Sequence, residues 1–304
     1  MQLLKIKRGF IMKNLNTNLV KALAILFSVS LLTMTSCKNA QKEGETKQKE
    51  EISVLYPNWA EGIAFTHLAK VALENHGYEV KVTPLEPGPI YASLAKGDAD
   101  LFFDAWLPHT HADYWEKYGD QLVKLGESFS GGTTGLVVPA YVDIESIEDL
   151  NDNKEKFDGK IIGIGSGAGI HGNTEKAIEE YGLDFEQVTS SGPAMVASLK
   201  KAYNEKKPIV ITGWKPHHKW NKYDLKYLED PKDIFPKDVC AILSRKGFKD
   251  DYPKVAKFAS NFNMKEMELY DLMEDIREEG DALKAAKAWY KDHKVLVDGW
   301  FPSN

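Results

Sequence analysis

Cysteine is almost absent from this chain. Only Cys37 and Cys240 occur in 304 residues, so a disulfide framework cannot be what holds the fold together. Beyond residue 34 there is no apolar run long enough to cross a bilayer. HExxH, paired cysteines at metal-ligand spacing and GK[ST] are also missing, which removes the usual signatures of zinc peptidases and P-loop nucleotide enzymes. The first 37 residues contain no acid. They hold Lys5, Lys7, Arg8, Lys13 and Lys21, so the remainder carries a formal charge of −11 where the whole chain carries −6. So acidic a body argues against a nucleic-acid partner, because phosphate recognition needs clustered Lys and Arg.

The N-terminus reads as a targeting segment. A basic stretch is followed by an apolar run from Ala22 to Met34 and then Thr35, Ser36 and Cys37. The run is short for a membrane span and has the form of a signal-peptide core. Small residues just before a Cys resemble a bacterial lipobox, which predicts cleavage before Cys37 and acylation of that residue. Met12 is an alternative start, since "MKNLNTNLVKALAILF" is a complete signal by itself. Acylation of Cys37 would leave Cys240 without a partner. Residues 38–51, "KNAQKEGETKQKEE", carry no large apolar side chain and read as a solvated tether. Together these features predict a domain held near a membrane outside the cytoplasm.

From Ile52 onward the chain alternates short β-type runs with helical stretches. "ISVLY", "YEVKVTPL" and "ADLFFDAW" read as strands. "GIAFTHLAKVALENHG" places Ala64, Leu68, Val71 and Ala72 at helical spacing, with Asn58 or Glu61 opening the helix and Gly77 stopping it. "TGLVVPAYV" leads outward, and a second βα series runs from "KIIGIGSG" to "PIVITGW". After "DVCAILSRKGF" the pattern is mainly helical. Repeated βα units predict an α/β architecture with mostly parallel strands. Two series with helical material at the end predict two lobes, with crossings near Gly135–Pro139 and Asp238–Leu243. The expected division is a leader over 1–37, a tether over 38–51, one lobe from 52–138 and 240–304, and a second lobe from 139–239.

Ligands of such folds sit beyond the carboxyl ends of strands and between domains, so the residues after each strand are the candidates. After the first strand, the amides of Gly62 and Ile63 fall in a first helical turn, a ready anion site. After the third comes "DAWLPHTHADYW". His109, His111 and Asp113 alternate there in the manner of metal ligands, but no further ligand supports a centre, and i, i+2 residues of a helix do not share a face. Trp106 ends this strand, and Trp214 ends the later "PIVITGW". Facing indoles across a cleft make a box for a quaternary ammonium, and a helix N-terminus opposite would hold a carboxylate. Gly163, Gly165, Gly167 and Gly169 read as a tight strand-to-helix connection beside the cleft rather than a nucleotide loop. His171 and Asn173 there cap the helix or touch the ligand.

The ordered set "NWAEGIA", "LAKGDADLFFDAWLP", "YWEKYGDQLV", "GLVVP", "TEKAIEEYGL", "PIVITGWKPH" and "YDLKYLEDPK" resembles the glycine betaine/proline betaine-binding proteins of ABC importers over roughly residues 52–300. The resemblance implies a two-lobed type II periplasmic-binding-protein fold that closes on its ligand, with no catalysis, no cofactor and no metal. It implies a cage containing Trp106 and Trp214, a carboxylate site on Gly62 and Ile63, and a permease and an ATPase as partners. Where the family has a third Trp this chain has Met264, which offers no ring face; Trp59 or Tyr270 is left to complete the cage. Carnitine or choline therefore stays beside glycine betaine as ligand. A metal-dependent hydrolase built on His109, His111 and Asp113, and a sensory lipoprotein of the same fold, are the alternatives.

Overall fold

The computed structural model describes residues 51–302. The expected leader, Cys37 and residues 38–50 of the tether lie outside them. Nine strands run β1 Ile52–Tyr56, β2 Val80–Pro84, β3 Leu101–Leu107, β4 Leu122–Pro139, β5 Lys160–Ile162, β6 Glu186–Val188, β7 Val210–Lys215, β8 Leu225–Tyr227 and β9 Asp238–Arg245. Their order in the sheet is β2-β1-β3-β9-β4-β7-β5-β6, with β8 also paired to β4. The helices that matter for the site are α1 Ala60–Asn75, α2 Pro87–Lys96, α3 Ala112–Tyr118, α4 Gly169–Glu180, α5 Gly192–Asn204 and α6 Lys219–Lys222. Past β9 come α7 Phe248–Asp251, α8 Pro253–Asn261, α9 Glu266–Glu279, α10 Ala282–Asp292 and α11 Lys294–Asp298.

The sheet is mixed, which corrects the expectation of mostly parallel strands. The pairs β1–β2, β1–β3, β5–β6 and β5–β7 are parallel. Every pair that includes β4 or β9 is antiparallel. The βα units do make parallel ladders, but the chain passes between the halves through β4 and returns through β9, and these two run against their neighbours. Residues Leu122 to Gly132 of β4 pair with β9, and residues Thr133 to Val137 pair with β7. Both crossings expected from the sequence lie on these strands.

Composition explains the local structure. All seven residues of β3, "LFFDAWL", are buried, as expected of a strand covered on both faces. Leu101, Phe103 and Trp106 join the core under α1, whereas Phe102, Ala105 and Leu107 face the core under α2. The register slips between Phe102 and Ala105, so Trp106 points to the side its simple alternation would not give. Helix α1 starts at Ala60 with Trp59 as N-cap, not at Asn58 or Glu61, and no side chain caps it. Its stripe Ala64, Leu68, Val71 and Ala72 is fully inside. Each such Leu or Val contributes roughly 1.5–3 kcal/mol through burial. Gly77 follows at φ 87°, a left-handed position that glycine occupies without strain.

Beyond β4 the second half has its own core, including Leu136, Val138, Ile161, Leu183 and Val210. Strands β4 and β7 approach closely there, with Gly135 opposite Gly213. A Cβ on Gly213 would lie 2.4 Å from Val137 Cγ2. Gly213→Ala is expected to lower the unfolding free energy by about 1–3 kcal/mol, the usual cost of overpacking, measured by urea denaturation. An unchanged midpoint would show that the strand pair gives way freely.

Candidate functional site

Trp106 and Trp214 close their strands at equivalent points of a repeated phrase, Trp-x-Pro-His, read as "WLPH" and "WKPH". Both are almost fully buried, at 2% and 3% exposure. They meet Trp59, the N-cap of α1, around one cavity that also touches Glu61, Thr110, Thr134, Ile164 and the start of α4. About 250 Å3 there is free of atoms, a figure that includes the solvent at its mouth. The Trp59 and Trp214 rings are 6.5 Å apart at 56°, an inclined aromatic pair. Gly132 makes room for Trp106: a Cβ there would lie 2.8 Å from the indole.

Each strand-end indole is tied to a buried carboxylate. Trp106 Nε1 donates to Asp104 Oδ1 at 3.0 Å, and Trp214 Nε1 donates to Glu61 Oε2 at 2.9 Å. Glu61 and Asp104 are both 0% exposed. Their second oxygens, Glu61 Oε1 and Asp104 Oδ2, have no hydrogen-bond partner within the protein. Burial raises the Glu61 pKa to about 7, against the pull of the Trp214 indole, its own amide and Lys219. Burial, and then the charge of Glu61, raise Asp104 well above the usual carboxylate range. Behind Trp214 lies Lys219, also 0% exposed. Its Nζ donates to Trp214 O at 3.1 Å and sits 4.1 Å from the ring centroid. Burial pushes the ammonium pKa well down, opposed by Glu61.

The loop after β3 is fixed from β9. Asp238 accepts from the amides of His109 and Thr110, at 2.7 and 2.9 Å, and from Thr110 Oγ1 at 2.5 Å. This brings Thr110 O against the first residue of α4, where a Cβ on Gly169 would lie 1.7 Å away. Only glycine allows that approach. Tyr114 adds a second bond between the halves, donating from its OH to Gly167 O at 2.8 Å. The cleft is therefore shut. Gly167, Gly169 and Gly172 do fall at G-x-G-x-x-G spacing, but the space a pyrophosphate would need against Gly169 is taken by the Thr110 carbonyl.

The structure does not bring His109, His111 and Asp113 together. His111 N-caps α3, which begins at Ala112 rather than near Thr110, and the ring is buried. Its Nδ1 accepts from the Trp106 amide at 3.1 Å, and burial lowers its pKa to about 3. His109 and Asp113 line an outer groove instead. Among the described residues no group of three or more His, Cys, Asp or Glu is placed to hold a metal ion.

The remaining candidates divide. The Ile63 amide closes the first bond of α1, donating to Trp59 O at 2.9 Å. The amide of Gly62, one residue earlier, has no carbonyl of the helix to reach. Met264 is core: its amide donates to Ser128 O at 2.9 Å, and it borders a neighbouring hollow with Phe129 and Tyr227. Tyr270 is buried in the same core. His171 lies on α4 just past the cavity-lining Gly169 and Ile170, and its carbonyl accepts from Gln187 Nε2 at 3.1 Å. Glu61, Asp104 and Lys219 were not anticipated. A signal for the first two existed, an acid on the buried stripe of α1 and another inside the apolar run of β3. Lys219 sits on a one-turn helix with no periodicity to reveal it.

Residues 50–292 match the family model for the substrate-binding domain of ABC-type glycine betaine transport systems. The glycine betaine/carnitine transport binding protein of Listeria monocytogenes is 38% identical over 154 residues, 49% of this chain and 51% of that protein. The chain thus aligns with about half the length of that relative. Lactococcal OpuAC, solved closed with glycine betaine, superimposes with a TM-score of 0.79 at 38% identity, over 83% of this chain and 99% of that one. The glycine betaine/L-proline-binding protein of Borrelia burgdorferi gives 0.81 at 32%, over 84% and 97%. These neighbours are two-lobed periplasmic substrate-binding proteins, and the family is one of transport rather than catalysis. No helix among the described residues is long and apolar enough to cross a membrane.

Buried neutral histidines set a pH dependence. Burial lowers His111 to about 3 and His218 to about 4, and holds His217 well below its usual value. A base depressed in the folded state stabilises it above the unfolded pKa near 6.5, and that contribution is lost as pH falls toward the folded value. Glu61, raised on folding, acts in the opposite sense, favouring the fold below about pH 4.5 and losing that as pH rises through about 7. Asp104, also raised by burial and by the charge of Glu61, acts in the same direction as Glu61. The His111 part is isolated by His111→Asn, which keeps an acceptor for the Trp106 amide and does not titrate. Between pH 6 and 4 its unfolding free energy in urea is expected to vary with about one proton less than the wild type, ~1.4 kcal/mol per pH unit. Identical slopes would show that His111 is not held neutral.

Proposed function

This chain belongs to the family of substrate-binding domains of ABC-type glycine betaine transport systems, and we propose that it binds glycine betaine or a related quaternary-ammonium osmolyte in an aromatic cage of Trp59, Trp106 and Trp214. One observation carries this reading: three indoles border a single cavity whose only titratable wall residue is a carboxylate, Glu61. Indole faces attract a cation that cannot itself donate a hydrogen bond. Trp59 supplies the third wall that Met264 does not. For the ligand carboxylate, the first-turn amides of α4 at Gly169 and Ile170 border the cavity and lack intrahelical acceptors; Gly62 is the remaining donor at α1. Closure is stabilised by contacts that exist only when both halves meet. Glu61 on the wall also favours a ligand of net positive charge, which puts choline in the same comparison.

Each desolvated cation–π contact contributes about 2 kcal/mol, so three rings support micromolar binding. Calorimetric titration with glycine betaine, carnitine and choline tests this. Micromolar binding of at least one is expected, with Trp214→Ala and Trp59→Ala each weakening it more than tenfold. Silence with all three ligands, or full affinity in Trp214→Ala, would overturn the cage.

The proposed setting is extracytoplasmic. Cleavage before Cys37 and acylation of that residue would tether the domain to the membrane, from which it delivers ligand to a permease driven by an ATPase. Metabolic labelling with a fatty acid in a bacterial host should mark the wild-type chain and not Cys37→Ser. Equal labelling of both would remove the anchor.

A further inference from the structure

We propose that Glu61 is a positioning residue whose hydrogen bond to Trp214 ties closure of the cleft to assembly of the cage; the inference rests on the cage reading above. Glu61 lies on α1, which packs against β1–β3. Trp214 ends β7, in the other half of the sheet. The bond between Glu61 Oε2 and Trp214 Nε1 therefore spans the cleft, at 2.9 Å and away from solvent. A carboxylate taken from water needs replacement partners. Glu61 gets the Trp214 indole and the influence of Lys219 from the far half, and both are present only when the cleft is shut.

Trp214 is correspondingly constrained. Lys219 lies over its ring and bonds its carbonyl, the His217 ring meets it edge-on at 4.9 Å, and Trp59 stands beside it. Its N–H is the one polar group of the side chain, and a buried indole N–H without an acceptor is costly. Glu61 supplies an acceptor from across the cleft, and an ionised one makes the stronger bond. The cage wall contributed by one half is thus oriented by an atom of the other. An open cleft has the rings but not the cage. Asp104 from β3, Cys240 from β9 and Tyr270 from α9 also act electrostatically with Glu61, but none of them lies on the β7 half.

The test is a double-mutant cycle on the full chain, using Glu61→Leu, which removes the acceptor, and Trp214→Phe, which keeps a ring and removes the N–H. Affinity for the tightest-binding of glycine betaine, carnitine and choline is expected to fall at least tenfold in each single variant. The double variant should be no weaker than the worse single one, because both changes break the same bond. Glu61→Gln, which retains an acceptor, should stay within about threefold of wild type. Losses that simply multiply, or Glu61→Leu binding as wild type, would overturn the proposal. Trp214→Phe compared with Glu61→Gln serves the same purpose should Glu61→Leu not fold.

A wild type that binds no quaternary ammonium would reject the cage reading but leave the latch open to direct measurement. Spin labels at Lys96→Cys and Glu155→Cys, both exposed and one in each half, report the closed population without ligand. A closed fraction that drops in Glu61→Leu and returns in Glu61→Gln supports the latch. An unchanged fraction overturns it.

Discussion

Two buried carboxylates, each holding an indole N–H, are the constraint around which the site is organised. Removing a carboxylate from water is costly, and the rest of the local structure can be read as compensation. The bulge in β3 turns Trp106 toward the core under α1 and keeps Asp104 within reach of its N–H. The uncapped start of α1 leaves Trp59 at its mouth and Glu61 in its first turn. Lys219 is drawn inside behind Trp214, where a lysine alone would not be tolerated. Even the glycines at 132 and 169 follow from this packing, since a methyl group at either would strike an indole or the opposing backbone.

Much of this was legible in the chain. The strand-end tryptophans stood out because a large aromatic at the carboxyl end of a buried strand is where α/β folds place ligands. The helix over α1 and the apolar run of β3 were legible because their burial patterns are strong. The first half of β4 was not. "LVKLGESFSGG" carries glycines, charges and three register shifts against β9, and no two-residue period survives them. Strands β6 and β8 have three residues each, too few for any period. The antiparallel role of β4 and β9 is a matter of topology that local pattern does not encode.

Of the candidate site, the chain pointed to the strand-end rings that the structure brings to one cavity, but not to the bond that holds one of them, because Glu61 and Trp214 are 153 residues apart. Met264 stands where the resemblance places a third Trp, yet it is buried in the core, with its amide donating to Ser128 O. The histidine cluster, for which the sequence offered little support as a metal centre, is dispersed for a physical reason: after Pro108 the chain turns His111 inward, whereas His109 and Asp113 line an outer groove.

The contact between Thr110 O and Gly169 bears on ligand size. Where two jaws meet through side chains, rotamers can give, and a bulky guest is accommodated by repacking. At Thr110 and Gly169 they meet backbone to backbone, and there no rotamer is available to yield. The travel of the cleft thus has a hard stop, and discrimination by size becomes a matter of whether that stop is reached. A guest that fits lets the jaws come to rest on it; one slightly too large holds them ajar, and every bond that spans the cleft is stretched at once.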